Sequence, residues 1–282
     1  MKEFSKKRIG RNQILSTIHQ LLAILLGLVI ICPIIYALLI SFMPANQILK
    51  RPPTFIPRQW ILSNYKMAIT STTLGRFMVN SLILALVSSL MRVIISSMAA
   101  YGLSFYKFKG KNLIFMLIMG TMMIPGDVVL VSNYQTVAKL GLINTYLGMM
   151  IIFFCNATNI FLMRQYFLTF SLTLKEAAVI DGCSNLRFFI RILMPLSTPV
   201  ITTVFISSFI SVWNQYLWPM LVTNENSMRT VQVGVTMLNF PDGVVYGPVM
   251  AASILVLLPT LLVFIIFQKK IVGGIMGGSV KG

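Results

Sequence analysis

The chain has 282 residues, of which 57% are hydrophobic and only 10% charged, and its formal net charge is +17. Soluble domains average about 25% charged residues, so this composition, with a mean hydropathy of +0.85, excludes an ordinary soluble fold and makes lipid the solvent for much of the chain. The positive charge does not indicate nucleic acid, because the Lys and Arg flank apolar stretches instead of lining one basic face, as they do at the cytoplasmic ends of membrane proteins.

A basic segment, residues 1–13, feeds an apolar stretch with no small-residue cleavage site after it, the pattern of an uncleaved first membrane helix. A bilayer core of ~30 Å needs about 20 mostly apolar residues per helix. Six stretches qualify: 14–42, 77–101, 113–134, 143–166, 200–222 and 246–268. Pro52, Pro53 and the lysines at 107, 109 and 111 mark loops between them. With the N-terminus inside, inner segments hold 15 of the 23 Lys and Arg, outer segments hold 7, and Arg92 falls within a span. The positive-inside rule therefore predicts both termini and the 167–198 loop to be cytoplasmic. The expected fold is all-α and polytopic, with six transmembrane helices over 14–270 and a Gly-rich cytoplasmic tail over 271–282. Cys32, Cys155 and Cys183 are scattered and suggest neither a disulfide framework nor a zinc site.

The 167–198 loop is the most structured connection. Thr173 and Glu176 have the spacing of a capping box. Gly182 follows about two turns later, where a left-handed residue is expected. Ser184 can cap a second helix on which Leu186, Phe189, Ile190 and Leu193 share one face, with Arg187 and Arg191 opposite and Pro195 as the stop. The plainer reading is an amphipathic pair lying on the lipid surface, with the arginines on phosphates. Ala177 and Ala178 favour docking instead, since small residues beside a charged one admit another backbone closely.

The pattern Glu176-Ala177-Ala178, Gly182, Ile192, Pro195 resembles the EAA loop of ABC importer permeases. Asn64-Tyr65-Lys66, Asn80-Ser81, Trp213-Asn214, Trp218-Pro219, Ala251-Ala252, Pro259 and the terminal Gly278-Ser279-Val280-Lys281-Gly282 extend the resemblance over most of the chain. They are similar to the second permease subunit of the maltose/glycerol-3-phosphate type of carbohydrate importer. Met194 stands where that family usually has Leu, a volume-conserving change. The resemblance implies that residues 167–198 form coupling helices seated on an ATPase, with Glu176 holding the groove, Gly182 making the turn and Asp181 stabilising it. It also implies a second homologous permease, an ATPase dimer carrying ATP and Mg, and an extracellular solute-binding protein. The tail could reach the ATPases, although its composition also suits a disordered end. The chain has no GxxxxGK[ST] segment of its own with which to cradle ATP phosphates. No catalytic, metal or cofactor-binding residue is expected here.

For the solute path, the best cluster is Trp213, Asn214, Gln215 and Tyr216, followed by Trp218-Pro219. Aromatic faces stack on sugar C–H surfaces, and amides pair with hydroxyls. On a continuous helix Trp213 and Tyr216 would share a face that Asn214 does not; the tryptophans could equally belong to an interfacial belt. Asn156 and Asn159 could face a cavity or hydrogen-bond between helices. Pro125-Gly126-Asp127 reads as a break in the third span, with Asp127 either a solute contact or a cap for freed N–H groups. Arg92 could pair within the bundle and would matter more for a phosphate-bearing solute.

Two rival classes fit less well. An ion-coupled secondary transporter generally uses intramembrane acids in repeated halves, yet only six acids occur and only Asp127 lies near a span interior. A membrane enzyme would need a nucleophile with a base, or clustered metal ligands, and one histidine with dispersed cysteines offers neither. The expected solute is a di- or oligosaccharide, with glycerol-3-phosphate or a phosphodiester as the alternative.

Overall fold

The computed structural model describes residues 2–50, 52, 54–70, 73–236 and 246–276, with side chains from residue 15 to residue 268 of these. The predicted Pro53 loop mark, the 277–282 tail and residues 237–245 lie outside them. The regular elements are all helical among the described residues. In chain order they are α1 (Lys2–Ser41), α2 (Ala45–Ile48), α3 (Ser63–Thr70), α4 (Leu74–Phe105), α5 (Lys111–Thr121), α6 (Leu130–Lys139), α7 (Tyr146–Met150), α8 (Ala157–Phe167), α9 (Leu172–Ile180), α10 (Asn185–Phe188), α11 (Met194–Leu196), α12 (Thr198–Trp213), α13 (Leu217–Val222), α14 (Val231–Thr236) and α15 (Tyr246–Met276).

Among the described residues three uninterrupted helices are long and apolar enough to cross a bilayer: Leu15–Ser41, Leu74–Phe105 and Tyr246–Gln268. Three bent helix pairs pass the same test when taken together. Lys111–Thr121 and Gly126–Lys139 meet at 90°, Tyr146–Phe153 and Ala157–Phe167 at 50°, and Asn185–Leu196 and Thr198–Trp213 at 78°. Counting each bent pair as one span gives up to six among the described residues. The last pair breaks at Ser197, so the fifth expected stretch, 200–222, is reached directly from the 167–198 loop and is shared by α12 and α13. The third span breaks at Pro125-Gly126-Asp127 as expected: a short 3₁₀ turn, Gly126–Val129, joins its halves.

The chain divides into two compact units, 1–72 with 238–255, and 73–237 with 256–282. The division within α15 falls at Leu255, the residue whose carbonyl Pro259 leaves without its helical donor. In the first unit Asn64 closes the end of α1. Its Nδ2 donates to the Ser41 and Met43 carbonyls, each at 2.9 Å, while the Ser41 and Tyr65 hydroxyls lie 2.7 Å apart. Gly247 passes so close to Asn64 that a Cβ there would overlap the amide.

In the second unit α4 packs against α8 and α12. Ser81, Ala85, Ser88, Ser89, Ser96, Ser97 and Ala100 are buried along one face of α4. Small side chains let helices approach closely where lipid offers no hydrophobic drive. Asn159 Nδ2 donates to Ser208 Oγ at 2.9 Å and joins α8 to α12, which settles the interhelical alternative for that residue.

Asn80 organises the opposite end of α4. Its Nδ2 donates to the Ser227 and Arg229 carbonyls at 2.9 Å, and its Oδ1 accepts the Tyr146 hydroxyl at 2.6 Å. Ser81 Oγ accepts the Val231 N–H at 2.8 Å. The Asn-Ser pair thus holds the 226–231 loop onto α4.

Candidate functional site

The 167–198 loop folds as a helix pair seated on the bundle. α9 starts after Ser171, not at Thr173, which is already its second residue. The expected capping box therefore does not form, and the Thr173 hydroxyl lies 2.8 Å from the Ser171 hydroxyl instead. Gly182 ends α9 with φ of 73°. Its N–H reaches the Val179 carbonyl at 3.0 Å, and the Cys183 N–H reaches Ala178 at 2.8 Å, the paired bonds of a left-handed helix stop. Asp181 is the cap residue, its N–H bonded to the Ala177 carbonyl at 3.0 Å. Ser184 then caps α10 as predicted, its Oγ accepting the Arg187 N–H at 3.3 Å.

The second helix differs from its expected face. Residues Phe189–Leu193 form a π turn in which the Met194 N–H bonds to the Phe189 carbonyl five residues back. Pro195 explains the widening, since it has no N–H for the Arg191 carbonyl and its ring crowds that oxygen. The wide turn aligns Phe188 with Leu193, and both are buried. Leu186 and Ile190, predicted on the apolar inner face, are exposed instead at 67% and 55%. Pro195 does not stop the helix either: α11 continues to Leu196 before the chain turns at Ser197.

Ala178, Phe188 and Leu193 enter one apolar cluster with Val93, Ala100 and Tyr101 of α4, Met163 and Phe167 of α8, and Val200 and Val204 of α12; Ile192 packs against it. The Tyr101 hydroxyl donates to the Asn185 carbonyl at 3.3 Å. Lys175 places its ammonium over the Tyr106, Tyr101 and Phe105 rings. The loop therefore grips three spans at once. Its other side leaves Glu176, Ala177, Asp181, Gly182, Arg187, Arg191 and Pro195 exposed. Val179 and Ile180 are exposed on α9 as well, Ile180 at 85%.

The second feature is a cavity of about 490 Å³ over the break between α12 and α13. Pro219 cannot donate to the Gln215 carbonyl and would crowd it on a continuous helix, so the helix opens at 214–216. Asn214, Gln215 and Tyr216 then all line the cavity, together with Asp127, Asn133 and Phe153. The expectation that helical phase would separate them does not apply, because the segment is unwound. Trp213 is 2% exposed, stacked on Phe209 at 5.9 Å, and is not a lining residue. Trp218 is buried with its indole N–H donated to the Met149 carbonyl at 3.1 Å, so neither tryptophan is an interfacial anchor. Asn156 caps α8, its Oδ1 accepting the Asn159 N–H at 3.1 Å, and also stands outside the lining. Arg92 is buried, with Nε donated to the Phe153 carbonyl and its guanidinium 5.6 Å from the Phe153 ring centre.

Sequence reasoning missed Asn133 and the Lys175 cage. The cage had a faint signal in Tyr101, Phe105 and Tyr106, which cluster at the end of one span. Asn133 had none, because its approach to residues 214–216 depends on the 90° bend.

Residues 92–273 match the model of the family described as binding-protein-dependent transport system inner membrane component. The sn-glycerol-3-phosphate transport system permease protein UgpE of Brucella abortus (strain 2308) is 35% identical over 265 residues, covering 90% of this chain and 94% of that protein. The arabinooligosaccharides transport system permease protein AraQ of Bacillus subtilis (strain 168) is 32% identical over 261 residues, covering 92% and 93%. A chain from the crystal structure of a bacterial ABC transporter involved in the import of the acidic polysaccharide alginate matches with a TM-score of 0.81 and 25% identity, over 91% of this chain and 96% of that one. With bent helix pairs, a loop fastened to α4, α8 and α12 and these likenesses along nine-tenths of its length, the chain belongs to the binding-protein-dependent transport system inner membrane components, the permease subunits of ABC importers.

Proposed function

We propose that the chain is one of two homologous permeases in an ATP-driven carbohydrate importer of a bacterial cytoplasmic membrane, with both termini and the 167–198 loop on the cytoplasmic side. The observation that carries this reading is the two-sidedness of the loop: one side is fastened into the α4–α8–α12 core, and the other exposes Glu176, Gly182 and apolar side chains such as Ile180. A helix pair that merely rested on lipid would have no need of rigid attachment to three spans. Attached in this way, the loop moves with them, so closure of a partner ATPase dimer on ATP and Mg can tilt the spans between outward and inward access. Glu176, Ala177, Ala178, Asp181, Gly182, Ile192 and Pro195 form or support the docking pair. A loaded extracellular binding protein would dock on the outer loops, residues 223–245 among them, of which 237–245 lie outside the described residues.

The solute path would pass the unwound 214–216 segment, with Asn214, Gln215 and Tyr216 as its contacts. Trp213 supports that segment from the core, and Asn156 supports α8. A second reading, import of glycerol-3-phosphate through the same architecture, is favoured by the identity to UgpE.

The test is purification of the tagged chain from its native membrane in mild detergent, with identification of what accompanies it. An ATPase and a second permease are the expected companions. Glu176→Lys should insert normally, lose the ATPase and abolish ATP-dependent uptake. Uptake at the wild-type rate in that variant, at equal protein level, would remove the loop's assigned role.

A further inference from the structure

We infer that the cavity over the broken helix is a charge filter that admits uncharged polyhydroxyl solutes and excludes phosphate esters, with Asp127 as its determinant. The inference rests on the importer reading and separates the two solute chemistries that reading leaves open.

The polar lining is one carboxylate, Asp127, the amides of Asn133, Asn214 and Gln215, and the phenol of Tyr216. A carboxylate accepts two hydroxyl hydrogens, amides donate and accept, and a phenol does either while its ring meets C–H surface. This set suits vicinal hydroxyls. It suits a phosphate ester poorly: its donors are neutral, and Asp127 adds a like charge where up to two negative charges need a cation to balance them. No lining residue is cationic. Arg92 keeps its charge but lies buried behind Phe153, outside the lining, with its Nε given to the Phe153 carbonyl and its guanidinium against the Phe153 ring. The break itself holds Asp127 at the wall: Gly126–Val129 is the turn on which the third span bends by 90°. Asn214 is steadied from outside the lining by Gln232, whose Nε2 lies 3.5 Å from the Asn214 Oδ1.

The experiment uses the complete importer in lipid nanodiscs, with Cys32, Cys155 and Cys183 of this chain replaced by Ser and a single reporter introduced as Asn133→Cys or, separately, Gln215→Cys. Labelling of this chain by cationic and anionic methanethiosulfonate reagents is timed, and each rate is divided by that on a free thiol. The expected result is a cationic preference of about tenfold, which Asp127→Asn collapses to near unity. Maltose should slow labelling, and glycerol-3-phosphate at equal concentration should not. Three results would overturn the filter: an anionic preference, a preference unchanged by Asp127→Asn, or protection by glycerol-3-phosphate equal to that by maltose. Failure of both reporters to label in a folded complex would overturn it too, since the cavity would then be closed to solutes. None of these outcomes touches the importer reading, which stands or falls on the companions recovered with the chain.

Discussion

The Lys175 ammonium lies 4.2 Å from the centre of the Tyr106 ring, with Tyr101 and Phe105 at 5.5 and 5.9 Å. The first turn of the α9 helix is thereby tied to the end of α4 by a cation held among three aromatic faces. Such contacts contribute about 0.5–2 kcal/mol according to their exposure. Lys175→Met keeps the stem and removes the charge, and is expected to speed amide exchange across α9 by about fivefold, corresponding to about 1 kcal/mol. Lys175→Arg should restore the slow rate. Equal exchange in wild type and Lys175→Met would show the cage to be incidental.

Gly182 occupies the left-handed region with nothing within 4 Å of where a Cβ would sit. Substitution there costs backbone strain and no collision, about 1–2 kcal/mol for an ordinary residue. Gly182→Asn should retain most uptake, Gly182→Ala should lose part of it, and Gly182→Val should lose nearly all while still reaching the membrane. A flat response across the three would mean that the turn is not needed in this form.

Asn80 satisfies two carbonyls and one hydroxyl from residues far along the chain. Asn80→Leu leaves those groups without their partner, at about 1–3 kcal/mol for each that stays buried. Limited proteolysis should then cut within 226–231 well before the rest of the chain. Asn80→Asp should behave almost as badly, because it cannot donate to the Ser227 and Arg229 carbonyls.

Gly234 lies against the Phe77 ring so closely that a Cβ would overlap it. Gly234→Ala should lower the melting temperature of the purified complex, and Phe77→Leu in the same chain should return part of the loss. By contrast Gly27→Ala, with nothing within 4 Å, should leave the melting temperature unchanged. Additive losses in the double variant would argue against the contact.

The spans were legible because some 20 apolar residues in a row admit few other structures, and the break at Pro125-Gly126 was legible because its residues cannot continue a helix. Gly182 and Ser184 were legible for a similar reason: each has a local backbone role that its own chemistry dictates. What sequence pattern misplaced depends on the count of residues per turn. Leu186 and Ile190 satisfy the 3.6-residue repeat, but the π turn before Pro195 shifts the buried face to Phe188 and Leu193. The 214–216 segment failed in the same way, since Pro219 acts four residues upstream of itself. The candidate cavity needed the fold, because Asp127 and Asn214 come to line one cavity only through two bends.

The extra residue in the Phe189–Leu193 turn also bears on protein engineering. A chimera that exchanges docking loops between importers keeps its rotational phase only if both junctions lie outside 188–197. A junction inside that stretch would graft a regular helix onto a widened one, and everything upstream would rotate by about 100° relative to the membrane helix it serves. Donor loops should therefore be chosen by where their proline sits, ahead of overall similarity.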